Sequence, residues 1–331
     1  MPGPRHQNDI TRIIETDYIP ISPDTLQPET EGGLALEQHQ VRILNHIFKP
    51  VGMGRGRPKG LRYDTVIFSC PKKSGKTAIQ TGVLYAWART YGGEIYCLAN
   101  TEGQAKERAY TRLYNMLRHL ERTNPLRYHA EVEDCQALEI TFKNPYAKVY
   151  VIPAIPGSQA GSFVSLSAWD ELWAYNREVL KRLWAEFSPI PQLFGRSMRF
   201  VTTYAGYLGE SELLWSIYEA IVKPDPQKGD EPQGNKVKGL EDLPCYVSDD
   251  GRTFVYWDHV PRMPWHTQEF LESRKTDKSI PAQEYLRLWQ NRWVAGQDAF
   301  IDIEAYDALV VKGKAMGLFN RATFPADVHV A

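Results

Sequence analysis

Ser69-Cys70-Pro71-Lys72-Lys73-Ser74-Gly75-Lys76-Thr77 decides how the rest of the chain reads. Ahead of it runs Thr65-Val66-Ile67-Phe68, apolar and β-branched as a buried strand requires. Behind it, Ala78 to Trp87 sets apolar residues at helical spacing. Strand, tight polar turn and a helix opening on Lys-Thr make the frame of a phosphate-binding P-loop. A helix N-terminus offers backbone N–H groups without intrahelical partners, and its dipole favours an anion. The loop backbone of Pro71, Lys72, Lys73, Ser74 and Gly75 would wrap the phosphates of a nucleotide. Lys76 would add a point charge on the β/γ-phosphates, and the Thr77 hydroxyl would hold Mg²⁺. One position departs from the usual pattern, because Cys70 stands where Gly opens such loops. An exposed basic turn is the plain alternative for the same residues.

The 331-residue chain is 43% hydrophobic and 12% aromatic, enough for one large core or two modest ones. Its formal net charge of −1 leaves no chain-wide basic footprint, so contact with nucleic acid would need a local patch. The four cysteines (Cys70, Cys97, Cys135, Cys245) are far apart and form neither a metal-type pair nor a disulfide framework. A reducing compartment follows as the expectation. There is no apolar run of membrane-spanning length and no signal-peptide pattern. A soluble, cytoplasmic protein is expected.

Residues 1–33 are polar with scattered Pro and Gly and read as an extended arm on the body. Leu34 to Phe48 reads as a helix. Residues 49–64 form a Gly-rich basic connector containing Arg55-Gly56-Arg57-Pro58-Lys59-Gly60, which resembles the core of an AT-hook. Narrow minor grooves attract Arg. Generic phosphate contact or a mobile basic hairpin are the other readings. Glu94 to Ala99 is a second strand, and Asn100-Thr101-Glu102 caps a long helix after it. Strand followed by helix, twice, implies a parallel sheet with right-handed crossovers. Ala137 to Phe142 and Lys148 to Ile152 read as further strands. Residues 223–244 read as a long loop, Cys245 to Trp257 as a hairpin about Asp249-Asp250-Gly251, and 265–293 as amphipathic helix.

The second chemical landmark is Phe163-Val164-Ser165-Leu166-Ser167-Ala168-Trp169-Asp170-Glu171. A P-loop ATPase sets a strand ending in two acids beside its phosphates. Asp170 would join the Mg²⁺ shell, and Glu171 would orient and deprotonate the attacking water. The same pair would also suit the start of a helix over 172–187. Met198 to Thr203 is the next strand. The hydroxyls of Thr202 and Thr203 at its carboxyl end would bond the γ-phosphate or the lytic water. Their other reading is plain β-propensity.

In this combination and order the motifs resemble the ATPase portion of the large terminase subunit, the DNA-packaging motor of tailed double-stranded DNA bacteriophages. Pro71 to Thr77 fits the family's Pro-(Arg/Lys)-Lys-x-Gly-Lys-(Ser/Thr) loop. Ile95 to Asn100 and Gln104-Ala105-Lys106 echo its next strand and helix. Asp170-Glu171 matches its acidic strand end, and Thr202-Thr203-Tyr204-Ala205-Gly206 its coupling segment. Leu36 and Gln40 match its adenine-reading helix. The resemblance implies an α/β, RecA-like P-loop NTPase of the ASCE type, with a mainly parallel central sheet and a small lid subdomain. The expected boundaries are an arm at 1–33, the ATPase core at 34–244, the lid at 245–295 and a linker at 296–331.

It also implies ATP as substrate with Mg²⁺, catalysis by Lys76, Glu171, Thr202 and Thr203, and adenine contact by Gln40. The implied partners are double-stranded DNA, the portal of the procapsid and the small terminase subunit. Assembly would be a homo-oligomeric ring, a pentamer, with an isolated chain expected as a monomer. The place of work would be the cytoplasm of the infected bacterial host and, transiently, the procapsid portal. Such motors supply an arginine in trans, often shortly before the acidic strand. Residues 144–163 hold no Arg, so Arg196, Arg199 and Lys148 are the substitutes within reach. Large terminases also carry a nuclease domain, and the chain stops about where its first strand would start, so DNA cleavage is not expected of it. Another P-loop translocase of helicase type, or a non-enzymatic DNA-binding adaptor with a degenerate P-loop, are the competing readings.

Overall fold

Strand β1 (Thr65–Ser69) is buried along its whole length, with Val66 and Phe68 entering one apolar cluster and Ile67 the other. A strand covered on both faces needs hydrogen-bonding neighbours on both edges. β12 (Thr253–Trp257) and β7 (Met198–Thr203) supply them, both parallel to β1. The computed structural model describes residues 8–22, 24–52, 60–98, 109–152, 163–190, 196–225, 231–296 and 308–313.

The remaining strands are β2 (Gly93–Leu98), β3 (Val132–Cys135), β4 (Glu139–Phe142), β5 (Ala147–Ile152), β6 (Val164–Asp170) and β11 (Cys245–Val247). They complete a 9-stranded sheet in the order β11-β12-β1-β7-β6-β2-β5-β4-β3. From β12 to β5 neighbours are parallel, and antiparallel strands finish both ends. One face carries α1 (Asp9–Thr16), α2 (Gln38–Ile47), α3 (Lys76–Thr90) and α4 (Thr111–Thr123), followed by the short α5 (Pro125–Glu131). The other is covered by α6 (Glu178–Glu186) and α7 (Glu212–Val222). The expected mainly parallel central sheet of an α/β fold is what the chain forms, and helices cover both of its faces.

Several local expectations need correction. The segment read as an extended arm contains α1, capped by the Asn8 side chain, with Ile10, Ile13, Ile14 and the following Tyr18 buried. It lies so close to α3 that a Cβ on Gly82 would come within 3.1 Å of both Ile14 and Tyr18. Alternation of polar residues hid a short amphipathic helix with only four buried positions. The hairpin assigned to a lid is part of the main sheet, because β12 pairs with β1 over its entire length. A two-strand pattern reveals its own turn but not the third strand it joins.

The helix expected over 172–187 is a 3₁₀ turn, Leu172–Ala174, then α6. The one expected over 265–293 is two, α8 (Gln268–Lys275) and α9 (Ala282–Trp289). Residues 231–244 are not a free loop, since Val237, Leu240 and Leu243 are buried in the core. Short pairs β9 (Pro224–Asp225) with β10 (Glu231–Pro232), and β8 (Tyr207–Leu208) with β13 (Val294–Ala295), lie outside the main sheet. The Asn100-Thr101-Glu102 cap, Gln104-Ala105-Lys106 and Arg55 to Lys59 fall outside the described residues.

Because α1 is core rather than appendage, Ile14→Ala should lower unfolding free energy by about 2–5 kcal/mol, the usual cost of such a cavity. Urea denaturation checks this, and a loosely attached arm would give well under about 1 kcal/mol.

Candidate nucleotide-binding site

The parallel register sets the site. Ser69 at the end of β1 stands opposite Thr203 of β7, and Thr202 stands opposite Asp170 at the end of β6. The loop after Ser69 that reads as a P-loop, the two threonines and the acidic pair therefore leave the sheet at one carboxyl edge, two strand spacings or about 10 Å across. Ligands of open α/β sheets bind at this edge. The Gln80 amide on α3 donates to the Trp169 carbonyl at 2.9 Å, tying the P-loop helix to the acidic strand.

The loop geometry accounts for Cys70. The positive φ angles of the loop fall at Lys73 (67°) and Gly75 (78°), not at its first residue. Cys70 therefore needs no glycine backbone. It is buried, its thiol pushed up to about 11 chiefly by burial. Gly75 takes the left-handed conformation directly before α3. The Lys76 ammonium donates to the carbonyls of Cys70 (2.7 Å) and Pro71 (3.1 Å) and lies 4.9 Å from the Tyr204 ring centre. Thr77 follows in the first turn.

The other side of the loop is gripped by remote residues. Trp265 Nε1–H donates to the Lys73 carbonyl at 2.8 Å, His266 Nε2–H to the Lys72 carbonyl at 3.1 Å, and Gln40 Nε2–H to the Ser74 carbonyl at 3.1 Å. The Lys72 N–H donates to the Leu288 carbonyl. A trans peptide points its C=O and N–H in opposite directions. Holding the carbonyls of Lys72, Lys73 and Ser74 from outside therefore turns the N–H groups of Lys73, Ser74 and Gly75 away from these partners. Successive N–H groups set this way are the kind of backbone concavity that can take an anion.

Asp170 is buried, and its Oδ1 accepts from the Thr202 hydroxyl at 3.1 Å. Glu171 adopts φ 56°, rare for a residue with a side chain. Its N–H donates to the Thr202 carbonyl at 2.8 Å, and Trp173 Nε1–H holds its Oε2 at 2.7 Å. Thr203 accepts from the Trp173 N–H at 3.4 Å. Lys76, Thr77, Asp170, Glu171, Thr202 and Thr203 thus share one edge. Gln40 reaches the loop backbone, and its Oε1 also accepts the Glu37 N–H at 2.9 Å in a capping box. Of the substitutes for a trans-acting arginine, Arg199 is committed inside the chain. It bonds Phe187 and Trp184 carbonyls and lies over the Trp184 ring, and burial lowers its pKa to about 10. Lys148 is paired with Glu139, whereas Arg196 is exposed.

Trp265 and His266 escaped sequence reasoning, and so did three residues deeper in the site. Asn291 is fully buried, with φ 51°, just past the end of α9. Its Oδ1 accepts the Ala205 N–H at 2.7 Å, and its Nδ2 donates to Ser69 Oγ and the Asp258 carbonyl, both at 3.0 Å. The signal available was Asn after a helix, a residue that tolerates the left-handed cap. Arg287, 4% exposed, sits among the rings of Trp173, Tyr207 and Tyr204 at 4.5, 4.6 and 5.0 Å and pairs with Glu284. No local pattern marks Arg287 or Trp173, because their partners lie far away in sequence.

Compared with known structures, the chain superposes on the large terminase of bacteriophage HK97 with a TM-score of 0.56, over 90% of this chain, at 13% identity. The fold is that of a bacteriophage large terminase. The chain spans 57% of that protein's length. The large terminase ATPase domain of Thermus phage P74-26 matches 70% of this chain and 89% of its own, at 16% identity and TM-score 0.47. No family model and no curated protein matches the sequence. Among the described residues no helix is long and apolar enough to cross a membrane.

Asn291→Ala strands the Ala205 N–H and the Ser69 hydroxyl in a buried setting. It should cost about 2–4 kcal/mol in urea unfolding, beyond the loss of one ordinary hydrogen bond. His266 gives a pH test. Burial is the main cause that lowers its pKa, the bond to Lys72 opposes it, and the Lys76 charge lowers it further. The unfolded chain then takes up the proton first, near pH 6.5. Stability from this group is complete above that pH and is lost as pH falls through the depressed folded value. The urea midpoint should drop between pH 7 and 5.5, and His266→Gln should shrink the drop.

Proposed function

We propose that the chain hydrolyses ATP at this edge and uses the hydrolysis to move double-stranded viral DNA into a procapsid. The observation that carries the reading is the meeting of a backbone anion concavity, Lys76 and the Asp170-Glu171 pair on one sheet edge. Terminase-like architecture supports the coarser part, a motor-type P-loop core.

The chemistry follows from the residues. The amides of Lys73, Ser74 and Gly75 and the N-terminus of α3 would stabilise charge on the phosphates, with Lys76 exchanging its carbonyl partners for phosphate oxygens. Thr77 and Asp170 present hard oxygen donors of the kind Mg²⁺ takes, and the buried Asp170 carboxylate is already oriented by Thr202. They would hold the ion, which when bound neutralises charge on the β- and γ-oxygens. Glu171 would accept a proton from the water attacking in line. The strained backbone at Glu171, worth on the order of 1–3 kcal/mol, persists where surrounding bonds over-determine it, as such strain does at functional sites. Thr202 and Thr203 would link the phosphate end to Trp173. Gln40, gripping the loop, would stand at the adenine side. In assembly the partners would be the procapsid portal, the small terminase subunit and further copies in a ring, a pentamer, with Arg196 the exposed candidate for a neighbour's site.

Lys76→Ala should lower ATP turnover by at least about 10²-fold with the fold intact by circular dichroism. Glu171→Gln should retain ATP binding while turnover falls about 10²–10⁴-fold. Turnover measured with and without duplex DNA and procapsid tests the motor assignment, which predicts stimulation. An unchanged rate in either variant removes that residue from the site.

A further inference from the structure

The sheet's other edge carries a feature that the nucleotide site does not use. Where β1 and β12 begin, a cleft of about 430 Å³ is lined by Arg42, His46, Lys49, Arg62 and Lys238, among others. A second cleft of about 370 Å³ shares Arg62 and Lys238 and adds Arg252 and Asp250. Some of this charge is already matched. Arg42 pairs with Asp242 at 2.6 Å, Arg252 with Asp64 at 2.9 Å, and Asp250 accepts from Ser248 and the Arg252 N–H. Lys49, Arg62 and Lys238 are exposed and stand in no ion pair with another described residue. Glu241, whose pKa the Lys238 charge helps to lower, is a further acid near Lys238. In a chain of net charge −1, this is a local concentration of positive charge. His46 registers it: burial first, then Arg62 and Lys49, hold its pKa below the usual histidine value.

The chain that enters and leaves this place is pinned there. Val51 and Gly60 exchange backbone hydrogen bonds of 2.8 and 3.1 Å as an antiparallel bridge, at the point where Val51 lines both clefts. The sequence between these two anchors carries Arg55, Arg57 and Lys59, which lie outside the described residues.

We propose that this paired cleft at the amino edge of the sheet, with Lys49, Arg62 and Lys238 as its phosphate contacts, is a binding site for the backbone of duplex DNA. The proposal rests on the translocase reading for its choice of duplex over other polyanions. Exposed cations outside any ion pair neutralise phosphates and release counterions, with little geometric demand. Phosphate contact of this kind positions a duplex without reading its sequence, as a translocase requires.

The test is fluorescence anisotropy with a labelled duplex of mixed sequence, about three helical turns long, titrated with the full chain between roughly 50 and 200 mM salt. Lys49→Ala/Arg62→Ala/Lys238→Ala should weaken binding at least about 10-fold. It should also flatten the log K against log salt slope by about 2–3, because each alanine leaves one phosphate fewer neutralised. Its basal ATP turnover should equal that of the parent, since none of the three touches the nucleotide edge. Three single charge-to-alanine variants, each with a partial loss, cover the case in which the triple variant misfolds. Unchanged affinity and slope in all of them overturns the site. A larger loss for single-stranded RNA of the same length than for the duplex overturns the choice of partner. An inactive ATPase with the same DNA result overturns the motor reading but leaves the cleft.

Discussion

Everything chemical in this molecule depends on β7 lying between β1 and β6. Parallel pairing aligns chain direction, so the loop after Ser69, the hydroxyls of Thr202 and Thr203 and the carboxylates after Trp169 all emerge on the same side. A one-residue slip of β7 would turn Thr202 and Thr203 to the opposite faces. The slip is opposed from both sides. Met198 and Phe200 pack in one apolar cluster while Arg199, on the opposite face, is bonded to the Phe187 and Trp184 carbonyls, so a slip would break those bonds and carry the guanidinium to the apolar side. The register is a consequence of core packing, and the site is a consequence of the register.

The loop itself is held by a region that sequence order puts last. Residues 263–291 contact the P-loop backbone through Trp265, His266 and Leu288, and Asn291 joins the ends of β1 and β12 to the segment after β7. Arg287 adds a second link. Its guanidinium lies between Trp173, which holds Glu171, and Tyr204, whose ring also lies near Lys76. A buried cation among three rings, paired with Glu284, is worth more than a surface contact because little water competes for it. Glu171, through Trp173, and Lys76, through Tyr204, thus share one packed neighbour.

The strand–loop–helix around Gly75-Lys76-Thr77, the acidic strand end and the threonine pair were legible in the sequence because each is local. Each is a short run whose periodicity and terminal residues state what it is. The α1 helix was not legible, since eight residues with four buried positions give too little periodic signal against polar neighbours. The placement of β12 was hidden for a different reason. Pairing of Thr253–Trp257 with Thr65–Ser69 joins segments far apart along the chain, and nothing in either strand names its partner. Asn291 and Arg287 belong to the same class. Their roles are set by tertiary contacts, and chemistry alone would have marked Asn291 only as a helix cap. Cys70 shows the converse, a sequence departure that becomes ordinary once the loop's φ angles are known.

Besides the strands, helix α2 meets both edges of the sheet. Gln40, in the first turn of α2, donates to the Ser74 carbonyl of the P-loop, while His46 near its end and Lys49 just beyond line the basic cleft. About 1.5 Å of rise per residue puts His46 roughly 9 Å from Gln40 along one rigid rod, with Lys49 just past its end. Val41, Ile43, Leu44 and Ile47 are buried between them, so the rod cannot bend without disturbing the core. A shift of the loop carbonyls would meet the cleft by two routes, through α2 moving as a whole and along β1, whose start lies beside Arg62 and Tyr63 of the cleft. The Gln40–Ser74 bond is a polar contact by which α2 holds the loop, so the loop is tied to the amino edge of the sheet by a helix on one face as well as by the strand that leads into it.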